Sequence, residues 1–349
     1  MKVLHLLQSS HFSGAENVAC QIIDMMQNEC DVKMVYCSPN GPIKDALFSR
    51  NITYIPLKKF SIKEVKRVLR EQHPDIIHAH DMRASVLVAG LVKKERIVAH
   101  IHNSDFKARR ISLKSVAFLL SSIKLSNIIW VSNSCFKSYI FHNKLLNKSK
   151  ILYNVINVDL ICQKVADDST EYNYDIIYVG RLAEPKNPLK LIRIIKLIKQ
   201  KKSDVRVGIV GNGDLENITK EAVSKLDLKN NVVFHGFMSN PFKALKSAKV
   251  MVMTSDREGL PMVALEAMSM GVPIVSTPTD GMCDIVKNGI TGFLESDESS
   301  FAEKVLVLLT DSDKREKFSL ETLDEFKKIN DINHYREVIR EIYVKKSLS

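Results

Sequence analysis

The chain has 349 residues, 45% of them hydrophobic and 26% charged, with a formal net charge of +11. That length allows two domains of ordinary size, each with its own core, and no run approaches the roughly twenty apolar residues of a spanning helix. Six scattered cysteines (Cys20, Cys30, Cys37, Cys135, Cys162 and Cys283) form no C-x-x-C pair, which argues for reduced thiols rather than a disulfide framework or a cysteine metal cluster.

Met1 to Gln8 is too short and polar for a signal-peptide core and reads as a first strand. Short apolar strands follow near 33–36, 75–79, 97–101, 128–131 and 151–153, alternating with helical patterns near 17–27, 62–71, 83–92, 113–125 and 136–143. Gln163 to Tyr174 is polar, acidic and aperiodic, and reads as a linker. A second series has strands near 176–179, 205–210, 232–234, 250–253 and 274–276, with helices near 189–199, 215–226, 241–247 and 261–270. Helical patterns near 301–309, 313–326 and 335–344 end the chain. Strand-then-helix repetition predicts parallel sheets covered on both faces, hence an α/β protein of two doubly wound domains.

In such sheets ligands sit beyond the C-terminal strand ends. The polar residues there include Ser13-Gly14-Ala15-Glu16, His78-Ala79-His80-Asp81, His102-Asn103, Gly180-Arg181, Gly211-Asn212-Gly213-Asp214 and Glu258. The densest stretch runs from Ser255 to Phe293. It holds an apolar strand, a turn with Glu258-Gly259-Leu260-Pro261, and a helix carrying Glu266. Pro261 suits a first helical position, and the amides of Met262, Val263 and Ala264 behind it would form an anion site. Two carboxylates flanking an anion site suggest a nucleotide-sugar ligand.

With Tyr178-Val179-Gly180-Arg181-Leu182, Lys186-Asn187, Gly211-Asn212-Gly213-Asp214, Phe234-His235-Gly236, Glu258-Gly259-Leu260-Pro261 and Gly289-Ile290-Thr291-Gly292-Phe293 in this order, the chain resembles glycosyltransferase family 4 of the bacterial surface-polysaccharide type. The resemblance covers nearly the whole chain. It implies the GT-B fold, two Rossmann-like doubly wound domains facing across a cleft. Residues 1–165 would bind an acceptor, 166–330 a nucleotide-sugar, and 331–349 would be a C-terminal helix packing back on the first domain. It also implies a retaining hexosyltransferase acting on a lipid-linked saccharide in O-antigen, capsule or exopolysaccharide synthesis. The nucleotide diphosphate sugar is the donor substrate, and no metal cofactor is expected. A GT-B epimerase acting on a sugar nucleotide, or a non-catalytic nucleotide-sugar-binding protein, would carry the same motifs. A nucleotide-linked dehydrogenase would need Gly-x-Gly-x-x-Gly after the first strand, where only Gly14 stands.

By the same resemblance Arg181 and Lys186 hold the donor diphosphate and stabilise the charge developing on it. Glu258 contacts the transferred sugar, and Glu266 accepts from the ribose hydroxyls. Gly180, Gly259, Leu260, Pro261 and Val263 line the donor site, with Gly213, Phe237 and Met238 on the base side. Gly14 lets the first loop approach the ligand or is a simple turn glycine. His102 either lines the cleft as a catalytic histidine or is a neutral side chain satisfied by backbone. The pairs His78/His80 and His100/His102 raise the idea of a metal, but no further ligands accompany them in the sequence.

The charge is lopsided, since residues 1–170 hold 24 Lys+Arg against 14 Asp+Glu. The first half should therefore face something anionic. Lys107 to Lys124 is basic at its start and apolar along one side. It reads as an interfacial helix with Phe118, Leu119 and Ile123 inserted or packed, or as a core helix with a solvated basic end. The first reading places the protein in the cytoplasm, peripheral on the inner face of the membrane. Few aromatics accompany the cations, which argues against nucleic acid.

Overall fold

The computed structural model of the protein describes residues 1–26, 32–92, 96–103 and 106–344. Its contacts group into two units, Met1–Asn154 with Ile332–Ser349, and Val155–Asp331.

In the first unit the elements are β1 (Lys2–Leu6), α1 (Gly14–Met26), β2 (Lys33–Pro39), α2 (Ile43–Phe48), β3 (Tyr54–Leu57), α3 (Ile62–Gln72), β4 (Ile76–His80), α4 (Asp81–Ala89), β5 (Arg96–Ile101), α5 (Leu113–Ser121), β6 (Leu125–Trp130), α6 (Asn133–Ser138) and β7 (Ser149–Ile151). The second unit continues with α7 (Val158–Asp167), β8 (Ile176–Val179), α8 (Pro188–Lys201), β9 (Val207–Val210), α9 (Glu216–Lys225), β10 (Val232–Gly236), α10 (Phe242–Ser247), β11 (Val250–Met253), α11 (Met262–Ser269), β12 (Ile274–Ser276), α12 (Asp280–Ile285), β13 (Gly292–Leu294), α13 (Glu298–Thr310) and α14 (Ser312–Ile329). A last helix, α15 (Ile332–Val344), belongs to the first unit.

Both sheets are parallel, with orders β3-β2-β1-β4-β5-β6-β7 and β10-β9-β8-β11-β12-β13. Each reverses direction once, at β1/β4 and at β8/β11, and these switch points are where a doubly wound sheet opens a crevice for ligands. Strand alternation divides the first sheet into two unlike faces. Leu4, Leu6, Ile77, Ala79, Ala99 and Ile101 join a core with Val65, Val68, Met82 and Phe118. On the other face His5, His78, His80 and His100 are buried, and the Tyr343 hydroxyl of α15 reaches His78 and His5. The end of α15 is held by Arg96, whose guanidinium donates to the carbonyls of Ile342 and Tyr343, the latter at 2.9 Å. In the second unit Ile176, Val207, Ile209, Val250, Val252 and Val275 pack against Leu191, Ile195 and Ile198 of α8 and Phe301 and Val305 of α13.

The contacts divide at Asn154/Val155 and again at Asp331/Ile332, with the last helix in the first unit. The segment read as a linker begins inside α7, a surface helix capped by Asn157 on the Leu160 amide at 3.0 Å. Ile161 is the one buried residue of α7, so no apolar period marked it. Of the two readings left open for Phe118 of α5, the structure takes the packed one: the ring is fully buried, edge-on to Trp130 and Tyr139. The apolar residues this segment exposes are Ile111, Leu113, Leu120 and Ile123.

Cys20, Cys37 and Cys135 are buried and Cys162 and Cys283 exposed, none of these described cysteines being in a disulfide, while Cys30 lies outside the described residues. Among the described residues no helix is long and apolar enough to cross a membrane.

Candidate active site

At the β8/β11 switch point two loops are stitched together. After β8 the chain passes Gly180 and the exposed Arg181, forms a short turn at Glu184–Lys186, and enters α8 through Asn187 in the left-handed conformation (φ 48°). After β11 it runs through Thr254, Ser255, Asp256 and Glu258. The Thr254 hydroxyl lies 3.1 Å from the carbonyls of both Lys186 and Asn187. The Asp256 amide donates to Pro185 at 2.9 Å, and Asn187 Nδ2 donates to the Asp256 carboxylate at 3.1 Å. Within this frame the Lys186 ammonium pairs with Glu258 Oε1, which also accepts from the Ser255 hydroxyl at 2.6 Å. Glu258 is buried, and a buried carboxylate is tolerable because it is paired and hydrogen-bonded. Ser255, not singled out from sequence, is thus part of the site; its position three residues before Glu258 was the available signal.

The turn behind Glu258 is tightly backed. A Cβ on Gly281 of α12 would come within 1.9 Å of the Gly259 carbonyl, so only glycine lets α12 approach. Leu260 is buried, so contacts from this turn come from its backbone. Pro261 is the cap of α11 rather than its first residue, since its ψ of 125° is extended. Its carbonyl accepts from the Ala264 amide at 3.1 Å. Of the three amides expected to face an anion, that of Ala264 is therefore already engaged, and those of Met262 and Val263 fit the role. Glu266 is half-buried one turn further, and burial pushes its carboxyl up to about 7, opposed by the charge of Lys164 on α7.

Gly213 has φ +157°, and a Cβ there would meet the Leu182 carbonyl at 2.3 Å; this loop is pinned to the β8 loop by the Leu182 amide on the Asn212 carbonyl at 2.8 Å. Phe237 is exposed and Met238 half-buried just past β10, the edge strand, where the Tyr174 hydroxyl lies 2.6 Å from His235 Nε2. Gly180, Arg181, Lys186, Gly213, Phe237, Met238, Glu258 to Pro261, Val263 and Glu266 thus all follow C-terminal strand ends of one sheet.

Gly14 and His102 belong to the other unit, again past C-terminal strand ends. Gly14 is exposed at the start of α1, where a side chain would meet no protein atom within 4 Å. His102 is half-buried after β5, with its backbone amide donating to Asp81 at 3.0 Å. Asp81 has φ +71°, an uncommon conformation for a residue with a side chain and one that clusters at functional sites. Burial lifts its carboxyl to about 6, and also raises that of Glu16, which accepts from the Ser13 hydroxyl. His102 is drawn down to about 3 by burial and is neutral at physiological pH. Its Nε2 lies 2.8 Å from His80 Nδ1, so it is satisfied by a side chain rather than by backbone. His5 completes this group of histidines. The parity of β1 beside His78 was the signal for it, whereas nothing local announced Tyr343.

Comparison with known proteins places the sequence in a family. Residues 12–160 match the model "Glycosyltransferase Family 4", and residues 164–322 match "Glycosyl transferases group 1". The chain belongs to glycosyltransferase family 4. An uncharacterized glycosyltransferase, MJ1059 of Methanocaldococcus jannaschii, is 30% identical over 61% of this chain and 58% of its own length. The capsular polysaccharide biosynthesis glycosyltransferase CapH of Staphylococcus aureus is 25% identical over the whole of both chains. The UDP-Gal:alpha-D-GlcNAc-diphosphoundecaprenol alpha-1,3-galactosyltransferase of Escherichia coli is 27% identical over 89% of this chain and 88% of its own. The crystal structure of Anabaena Alr3699/HepE with UDP-glucose superposes with a TM-score of 0.82, at 21% identity, covering 98% and 99% of the two chains. This family 4 enzyme thus has the GT-B fold and a sugar-transfer role.

Proposed function

We propose that the protein transfers a hexose, with retained anomeric configuration, from a uridine diphosphate sugar to a lipid-diphosphate-linked saccharide in bacterial surface-polysaccharide synthesis. The observation that carries the reading is the meeting of Lys186 and Glu258 at the β8/β11 switch point, beside exposed Arg181 and the start of α11. The relatives support a uridine donor, since HepE was solved with UDP-glucose and the Escherichia coli enzyme is named for UDP-Gal. The latter's acceptor, a diphosphoundecaprenol saccharide, supports a lipid-linked one here.

In this reading Arg181, Lys186 and the amides of Met262 and Val263 bind the diphosphate, and Glu266 accepts from the ribose. As the bond between the anomeric carbon and the phosphate oxygen breaks, charge grows on the leaving diphosphate, where fixed cations act most strongly. Glu258 stabilises the positive anomeric centre. The acceptor hydroxyl attacks from the face the diphosphate leaves, and a diphosphate oxygen takes its proton. No metal is assigned a step. Gly213, Phe237 and Met238 flank the base, while His102, Gly14, Asp81 and Glu16 form the acceptor-side group of the first unit.

Lys107, Arg109, Arg110 and Lys124 are exposed beside Ile111, Leu113, Leu120 and Ile123, a composition suited to an anionic membrane surface where such an acceptor resides. The direct test is transfer of labelled hexose from its UDP donor to a lipid-diphosphate GlcNAc acceptor. Glu258→Ala and Arg181→Ala should each lower kcat by about 10²-fold or more while the chain stays folded. Full turnover in either folded variant would sink the assignment.

A further inference from the structure

We propose that His100, His78, Tyr343, His5 and His80 form one hydrogen-bonded chain that holds His102 in a single neutral tautomer, with the proton on Nδ1, so that His102 meets a ligand as a donor. The links run in order. His100 Nδ1 lies 3.2 Å from His78 Nε2, and His78 Nδ1 is 2.6 Å from the Tyr343 hydroxyl. That hydroxyl is 3.5 Å from His5 Nε2, the longest link. His5 Nδ1 is 3.1 Å from His80 Nε2, and His80 Nδ1 is 2.8 Å from His102 Nε2. Every ring nitrogen along the way is used, leaving two ends, His100 Nε2 and His102 Nδ1.

A neutral imidazole has one N–H and one acceptor nitrogen, and a phenol has one proton. Each link needs one donor and one acceptor. The Tyr343 oxygen has lone pairs enough to accept from both His78 and His5, but its own buried O–H would then have neither of these partners. It therefore donates to one and accepts from the other, and the direction chosen at one end carries to the other. If His102 donated inward through Nε2, the chain would end in an N–H on His100 Nε2. That atom is buried and has no partner, and orphaned buried N–H groups are rare. The opposite direction leaves only a lone pair there, and places the proton on His102 Nδ1 at the strand's end. Burial holds His5, His78, His80, His100 and His102 well below their ordinary pKa, which keeps the neutral count valid near pH 7.

The same nitrogens could be read as a metal site, since His5, His78 and His80, or His80, His100 and His102, lie close enough together. Within these groups, however, the linked nitrogens are 3.1 Å apart for His5 and His80 and 2.8 Å for His80 and His102, closer than the roughly 3.3 Å between ligands of a tetrahedral zinc. The rings also lie within about 30° of parallel rather than converging on a point. Hydrogen bonding fits the geometry; coordination does not. The four inner histidines and Tyr343 are thus positioning residues for His102. Its use as a donor to a sugar or acceptor oxygen rests on the transferase reading, but the tautomer itself does not.

The test is a two-bond proton–nitrogen correlation spectrum of the full chain labelled with ¹⁵N-histidine, near pH 7.5, with His102 assigned from a His102→Gln sample. The expected result is a protonated Nδ1 and an acceptor Nε2 for His102, and loss of that single tautomer in Tyr343→Phe. A protonated Nε2, an averaged mixture in the wild type, or an unchanged tautomer in folded Tyr343→Phe would overturn the proposal. So would stoichiometric zinc retained through purification and bound by these nitrogens. The wild-type spectrum decides alone if Tyr343→Phe fails to fold, and since no turnover is read, failure here is separate from failure of the transferase reading.

Discussion

Glu266 is the fifth residue of α11, and with its carboxyl drawn up to about 7 it is shared between acid and carboxylate near neutral pH. A folded pKa above the ordinary 4.5 means that the folded state binds the proton more tightly. The resulting stability is complete below pH 4.5 and is lost as pH rises through 7. A ribose, by contrast, needs the carboxylate. Glu266→Gln should therefore raise the melting temperature at pH 8 by an amount corresponding to about 1–3 kcal/mol, and weaken UDP-glucose binding at the same pH. In the wild type, calorimetry should show affinity falling about tenfold per pH unit below 7; affinity flat from pH 5.5 to 8 would remove Glu266 from the ribose. A diphosphate sugar is the right probe, because a free terminal phosphate titrates near pH 6 itself. Residues of this loop were legible because Glu258, Pro261 and Glu266 are close in the sequence. His5 and Tyr343 were not, because their partnership is made only when α15 is laid over the first sheet.

Helix α5 separates two outcomes that composition left open. Phe118 is core, so Phe118→Ala should cost about 3–5 kcal/mol of stability in urea unfolding. Leu113 and Ile123 are 88% and 76% exposed. Leu113→Ser with Ile123→Ser should leave stability within about 0.5 kcal/mol while reducing sedimentation with vesicles of anionic lipid. Equal sedimentation of this variant and the wild type would rule out membrane contact by this face. The helix was ambiguous in sequence because a basic start and one apolar side suit a core helix and an interfacial helix alike. Strongly amphipathic α3 and α8 were read nearly to the residue. Missed were α2, β3, α12 and β13, all of six residues or fewer. Of these β3 carries Pro56 at an outer edge and β13 opens on a glycine, features that read as turns.

Over the molecule the two sheets share one plan, and each candidate residue sits past a C-terminal strand end of its own sheet. That much was legible because strand-then-helix alternation leaves few topologies open. The limits of the units were less legible, because a helix with one buried residue resembles a linker. Placing nearly all the excess charge in residues 1–170 has a consequence for binding. Association with anionic vesicles should weaken steeply between 0.05 and 0.5 M NaCl, as screening shortens to a few ångströms, while UDP-glucose turnover with a soluble acceptor changes little. Salt-independent sedimentation would contradict an electrostatic contribution. The return of α15 to the first unit also matters while the protein is being made. A ribosome releases residues 1–154 long before 332–344, so the imidazole face of the first sheet waits without α15 through synthesis of the entire second unit. Nascent chains stalled before Tyr343 emerges should be the ones that chaperones hold.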